Sequence, residues 1–306
     1  MDSWRRHALV FWIFSLPPTL WLVAFFLLPL ALVWLLSFGE KHGVVDIAIT
    51  GTLDNYARAL QPLYLWIFAK SIGFAGLTTL TCLVVAFPVA IAMTFAPPRW
   101  KPLLLLLVML PFWTNLLIRT YALIAVLRTK GYVNAGLESL WNAATSGLHL
   151  IGLGGTALLG VRFEPLALLY NNVAVLFGLI YVHLPFMILP LYAALERLDR
   201  SYIEASLDLG ASQMRTFWAV VLPLARSGIS AGILITFIPA MGSYLTPELL
   251  GGTDSQLFAN VIERQFKAAN DWPFGAALSF LLMYITFFAL ALRTLWSKRG
   301  LGLESG

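Results

Sequence analysis

The sequence predicts an all-α fold, a polytopic membrane bundle of six transmembrane helices with one polar helical loop on the cytoplasmic side. Two observations carry this expectation. Of 306 residues, 59% are hydrophobic and only 11% are charged, with a mean hydropathy of +0.81; a soluble domain of this length needs more charge to cover its surface. Apolar runs able to cross a hydrocarbon layer of about 30 Å, which takes about 20 helical residues, recur at about 10–38, 68–96, 102–127, 171–195, 227–249 and 272–295. Buried core helices of soluble proteins rarely reach such lengths. With no tandem repeat or low-complexity tract, one domain over 1–306 is expected.

The first run follows "MDSWRR", the positive flank of a signal peptide. It is too long for a cleaved apolar core and lacks a small-residue cleavage site, so it reads as a retained span. Residues 39–70 form an outer loop in which Leu53, Tyr56, Ala57 and Leu60 recur at helical spacing, a short interfacial helix. "PPRWKP" at 97–102 is a tight inner turn, and Arg119 interrupts the third run. The longest outer connection, 128–170, contains a charge-free stretch at 139–161. Asn142, Thr145, Ser146, His149 and five glycines make it read as a loop rather than a seventh span. Arg5, Arg6, Arg99, Lys101, Arg197, Arg200, Arg215, Arg226, Arg293, Lys298 and Arg299 then fall in cytoplasmic segments, and both termini are expected inside. The single cysteine, Cys82, excludes an intrachain disulfide and any Cys/His metal spacing. The net charge of +5 suits an acidic lipid surface; no basic soluble domain points to nucleic acid.

The largest inner loop, 196–226, contains "EASLDLGASQMRTFWAVVLP". Ser201 and Glu204 have capping-box spacing, which starts a helix by satisfying free backbone N–H groups. Gly210 can take the positive φ that ends it, Ser212 can cap a second helix, and Pro223 predicts a bend before the fifth span. On pattern alone this helix–turn–helix reads either as a docking element or as an amphipathic connector without a partner.

The spacing E-A-S-x3-G-x9-V-x-L-P, set by Glu204, Ala205, Ser206, Gly210, Val220, Leu222 and Pro223, resembles the EAA loop of ABC-importer permeases. Ser206 replaces that family's second alanine and Val220 its isoleucine. "TLDNYARALQPLY", "LPFWTNLLIRTYAL", "TKGYVN", "LPFMILPLYAALERLD", "PAMGSYLTPELLGG" and "DWPFGAA" resemble the spermidine/putrescine permease branch, against which 139–163 looks like an insertion. The resemblance implies that Ser201, Glu204, Ala205, Ser206, Asp208, Gly210, Leu222 and Pro223 build a coupling helix docked on a cytoplasmic ATPase. It also implies two ATPase subunits, a second, non-identical permease subunit, a periplasmic solute-binding protein, a small-molecule substrate and a place in the bacterial inner membrane. Putrescine or spermidine is the implied cargo. "GSYLTPELLGG" is shared more widely, so an opine, an amino acid or a metal ion stays open.

No Walker A lysine motif exists, and "GLGG" at 152–155 lacks the lysine. His7, His42, His149 and His183 are scattered, and no catalytic or metal constellation is evident. The chain therefore reads as a non-enzymatic subunit without a cofactor of its own, ATP and Mg being bound by the ATPase. A polyamine path needs aromatic faces and a few carboxylates. Trp113, Asn115, Tyr121, Tyr244 and Glu248 are the candidates, although Trp and Tyr also form interfacial belts. Arg119 is awkward in such a path, unless it snorkels outward or pairs with a carboxylate. An ion-coupled secondary transporter, the alternative class, needs acidic or histidine relays within spans, which are scarce outside Glu248.

Overall fold

The computed structural model describes residues 8–43, 46–150 and 163–301. Arg5, Arg6, His7 and the glycines at 152–155 lie outside these. In chain order, α1 (Ala8–Leu22) passes through a π-helical turn (Val23–Leu27) into α2 (Leu28–Leu36). A hairpin of β1 (Gly39–His42) and β2 (Asp46–Ile49) precedes α3 (Asp54–Ala59). Then come α4 (Pro62–Phe95), α5 (Lys101–Met109), a 3-10 turn (Leu110–Trp113), α6 (Leu116–Leu127) and α7 (Tyr132–Leu150). They are followed by α8 (Asn172–Glu196), α9 (Arg200–Asp208), α10 (Gln213–Thr216), a second π turn (Phe217–Val221), α11 (Leu222–Leu224) and α12 (Arg226–Met241). The last are α13 (Leu245–Leu250), α14 (Phe258–Lys267) and α15 (Trp272–Leu301). The fold is an all-α polytopic bundle, as expected. The short hairpin was not foreseen, while the helix predicted around Tyr56 is α3.

Three helices, Phe11–Leu36, Pro62–Phe95 and Asn172–Glu196, are long and apolar enough to cross a membrane. The third predicted run is not one rod: Lys101–Trp113 and Leu116–Leu148 meet at 95°. The break has a local cause. Thr114 and Asn115 are extended, and the Asn115 side chain accepts from the Leu117 N–H at 2.8 Å, starting a new helix. Before the fifth run, Gln213–Leu224 and Arg226–Met241 meet at 67°. The sixth is a shorter apolar helix, Trp272–Phe288.

Both π turns end two residues before a proline, Pro29 and Pro223. A proline ring presses on the carbonyl four residues back, here Phe25 and Ala219, and a wider turn relieves that clash. The bend anticipated from Pro223 is therefore present, and it falls at Ala225. The stretch at 139–150, expected to be irregular, is instead the end of α7. Ser139 and Thr145 satisfy their hydroxyls on the carbonyls of Ala135 and Trp141, at 2.9 and 3.0 Å, so polar content does not break the helix there.

The chain groups into two units, one of residues up to Trp66 with those from Val261 on, the other Ile67–Asn260. In the first, α15 packs on α2, α3 and β1. Arg58 bridges to Asp271 at 2.8 Å and lies 3.9 Å from the Phe274 ring centroid, and Trp34 Nε1 donates to Tyr284 Oη at 2.6 Å. No described side chain between 11 and 36 is buried, as suits a helix solvated by lipid. In the second unit, Cys82, Ala86, Phe87, Ala90 and Met93 of α4 form a core with Met187, Ile188, Leu191 and Leu195 of α8 and with Ala225. α12 lies closely along α8. A Cβ on Gly228 would sit 2.5 Å from Ala194 Cβ and 2.7 Å from the Pro190 carbonyl, the small-residue approach by which helices associate in lipid.

Candidate coupling loop and translocation path

The inner loop is a helical hairpin, and its caps differ from the sequence expectation in one place. Ser201 does not cap α9. The helix starts two residues earlier than that cap implies, at Arg200, and Asp199 is the cap, its Oδ1 accepting from the Ser201 N–H at 3.0 Å. A carboxylate serves better than a hydroxyl at this position because it also meets the positive end of the helix dipole. That hydrogen bonding by Ser201 holds the Asp199 carboxyl below its ordinary value. At the other end Gly210 has φ +83°, as expected, and its N–H bonds the Leu207 carbonyl at 2.9 Å. Ser212 caps α10 as expected, accepting from Arg215 N at 3.3 Å. Ser206, where the family motif has alanine, faces the buried Thr216 across the hairpin, with hydroxyls 2.9 Å apart.

The hairpin is seated on the ends of three longer helices. Arg200 lies 5.3 Å from the Phe95 ring centroid and donates to the Thr94 carbonyl at 3.4 Å. Lys101 pairs with Glu196 at 2.6 Å. A cavity of about 480 Å³ lies between them, walled by Ile91, Leu195, Ile203, Leu207 and Phe217 among others. Glu204, Ala205 and Asp208 are exposed, and so are Met214 and Leu209, the last at 89%; Tyr202 and Trp218, also exposed, border separate grooves, the first beside Pro190 and Gly228, the second beside Val84 and Phe87. Leu209 and Met214 are thus large apolar side chains left uncovered at the turn and on the second arm of the hairpin. Leu222 and Pro223 are half-buried and join the hairpin to α12.

The candidate path residues fall on the 3-10 turn, α6 and α13, the last two of which touch. Trp113 ends the 3-10 turn, Asn115 caps α6 and Tyr121 lies within it; all three are exposed. Tyr244 caps α13 and Glu248 sits in its first turn, both exposed, and α13 packs on α6 and α8. Asn115 is thus committed to its cap. Arg119 pairs with no carboxylate among the described residues, and its buried Nε has no hydrogen-bond partner there. A residue absent from the sequence reading, Asn260, is fully buried and donates to Glu248 Oε2 at 3.0 Å.

A family model described as the inner membrane component of binding-protein-dependent transport systems matches residues 4–299. The chain belongs to this family. The spermidine/putrescine transport system permease protein PotB of Salmonella typhimurium is 42% identical over 265 residues, covering 87% of this chain and 86% of that one. PotB of Escherichia coli is 41% identical over 87% and 90%. The inner membrane ABC transporter permease protein YdcU of Escherichia coli is 31% identical over 94% and 90%. Among solved structures, a chain of a bacterial ABC transporter that imports the acidic polysaccharide alginate matches with a TM-score of 0.65 at 15% identity, over 97% of this chain and 98% of that one. A chain of an alginate transporter in complex with its pentasaccharide-bound periplasmic protein gives 0.67 at 14% identity, over 98% of both. These structures speak to fold alone.

The likeness to the spermidine/putrescine branch, read from six short segments, therefore holds over most of this permease. The structure gives two of those segments a physical reason. "DWPFGAA" is a helix start: Asp271 accepts from the Phe274 N–H at 3.3 Å, and Pro273 stands in the first turn of α15, where no N–H is needed. "LLGG" ends α13, where the Leu250 carbonyl accepts from Tyr170 N at 3.0 Å.

Proposed function

We propose that this permease is one of two transmembrane subunits of an ATP-driven importer that carries polyamines, putrescine or spermidine, delivered by a periplasmic binding protein. The observation that supports the cargo is the 42% identity to a spermidine/putrescine permease over 87% of the chain. The second permease is a non-identical homologue, and two ATPase subunits hold ATP and Mg. The hairpin α9–α10 docks on one of them through its exposed residues Glu204, Ala205, Asp208, Leu209 and Met214, with both termini of the permease on the same, cytoplasmic side. Closure of the ATPase pair around ATP shifts the spans only if it contacts the two states differently; a docked hairpin joined rigidly to α12 is such a contact. Trp113, Tyr121 and Tyr244 offer π faces to an alkylammonium, each worth about 0.5–2 kcal/mol, and Glu248 supplies a carboxylate.

Uptake by the complete complex in proteoliposomes, with putrescine, spermidine, an amino acid and a divalent metal ion, tests this reading. ATP-dependent accumulation of the polyamines alone is expected. Accumulation of the amino acid or metal in their place would reassign the cargo, and accumulation without ATP would remove the motor.

A further inference from the structure

We infer that Asn260 is a positioning residue for cation transport: it aims the Glu248 carboxylate and fixes the start of α13. The inference rests on the polyamine reading of Glu248 given above.

Asn260 has no exposed surface, and three of its side-chain bonds define which way its amide points. Its Oδ1 accepts from the Leu257 N–H at 3.2 Å. Its Nδ2 donates to the Tyr244 carbonyl at 2.9 Å and to Glu248 Oε2 at 3.0 Å. A backbone N–H only donates and a carbonyl only accepts, so a flipped amide would face donor to donor and acceptor to acceptor. Both amide protons are therefore spent on α13, one at its cap residue and one on its acidic side chain four positions later.

The support behind Asn260 is firm. The Phe258 N–H, two residues earlier, donates to Ser71 Oγ of α4 at 2.7 Å, and the Phe258 ring meets Phe68 edge-on at 5.1 Å. Ser71 is itself buried and bonds the Ile67 carbonyl at 2.9 Å. A carboxylate held by an N–H donor is better oriented. Glu248 itself is exposed, while Thr246, Pro247 and Leu250 of the same helix are buried, so its carboxylate leaves the packed side of α13 beside the Asn260 amide. A buried amide anchored to α4 thus holds the one acidic side chain among the candidate path residues.

The test uses the complete transporter with saturating polyamine-loaded binding protein, so that capture outside the membrane is the same in every arm. Asn260→Ser keeps an acceptor for the Leu257 N–H but is too short to reach Glu248. Asn260→Asp keeps the shape but turns the donor into a second carboxylate. Each variant is expected to transport about ten-fold less polyamine per ATP hydrolysed, the size of one charge-assisted hydrogen bond, with assembly and binding-protein-stimulated ATP hydrolysis retained. A merely structural role would lower assembly and hydrolysis together. Glu248→Gln is expected to show a similar loss, and Glu248→Gln with Asn260→Ser no more than Glu248→Gln alone. Normal uptake by the Asn260 variants, losses that multiply in the double variant, or failure of both to assemble would overturn the role of Asn260. Normal uptake by Glu248→Gln would overturn the path assignment itself and this inference with it, a result visible in that single variant.

Discussion

Asp199 illustrates how little side chain is needed to place the coupling helix. Its carboxylate holds the Ser201 N–H at 3.0 Å, and the bond lowers its titration below the ordinary value of 3.8. A group that titrates lower in the folded loop than in an unfolded chain stabilises the fold above the unfolded value; that contribution is lost as pH falls through the folded value. Protection of the Ser201 amide, its exchange rate relative to an unstructured peptide at the same pH, is therefore expected to hold at neutral pH and to be lost as pH falls below the ordinary value of 3.8. Asp199→Asn should keep that protection at low pH, since an amide oxygen also caps, whereas Asp199→Ala should lack it throughout. Equal exchange in all three proteins would remove Asp199 as the cap. Ser201 alone was expected here, from its capping-box spacing to Glu204, and Asp199 takes the place instead. What decided it was the length of α8, which ends at Glu196 and leaves Asp199 as the extended residue before the next helix.

Gly210 carries the most exacting local demand in the hairpin. At φ +83° an L side chain costs about 1–2 kcal/mol, so Gly210→Ala is expected to lower stability of the loop by that order and leave docking detectable. Gly210→Pro is harsher. Proline is fixed near φ −65° and has no N–H for the Leu207 carbonyl, so the two arms lose their relative placement. The expected outcome is normal membrane insertion with no copurifying ATPase; ATP-driven uptake at the wild-type rate would sink the coupling assignment. The turn was legible because only glycine meets that φ cheaply. The break at Thr114–Asn115 was missed: 102–127 reads as one apolar run, and Asn115 was taken for the path and not for a helix cap. Asn260 was not legible. In "LFANVIERQFK" it reads as one more polar position of an amphipathic helix, and only its burial and the approach of α13 distinguish it.

The orientation of the chain is open to a direct check because its single cysteine, Cys82, is fully buried. A membrane-impermeant thiol reagent should leave the wild type unlabelled. Met214→Cys, on the exposed face of the hairpin, is expected to react in inside-out vesicles and not in intact cells. Labelling from outside would invert the proposed topology. Composition alone made the bundle legible, since charge this sparse leaves lipid as the only solvent for surfaces such as Trp12, Phe14, Phe25 and Phe26. The hairpin β1–β2 was hidden for the opposite reason: strands of four residues carry too little periodicity to stand out.

The π turn at Phe217–Val221 has one more consequence. Each helical residue advances the chain by about 100° about the axis, and a π turn holds one residue more than an α turn would over the same rise. The side chains of α12 are therefore out of phase with those of α10 by about a quarter of a revolution. Were that extra residue absorbed into ordinary α-helix, everything beyond Pro223 would turn about the axis of Gln213–Leu224, and because α12 leaves that axis at 67° it would be carried sideways. Five residues and the proline that holds them open thus set the direction in which the fifth apolar segment leaves the hairpin.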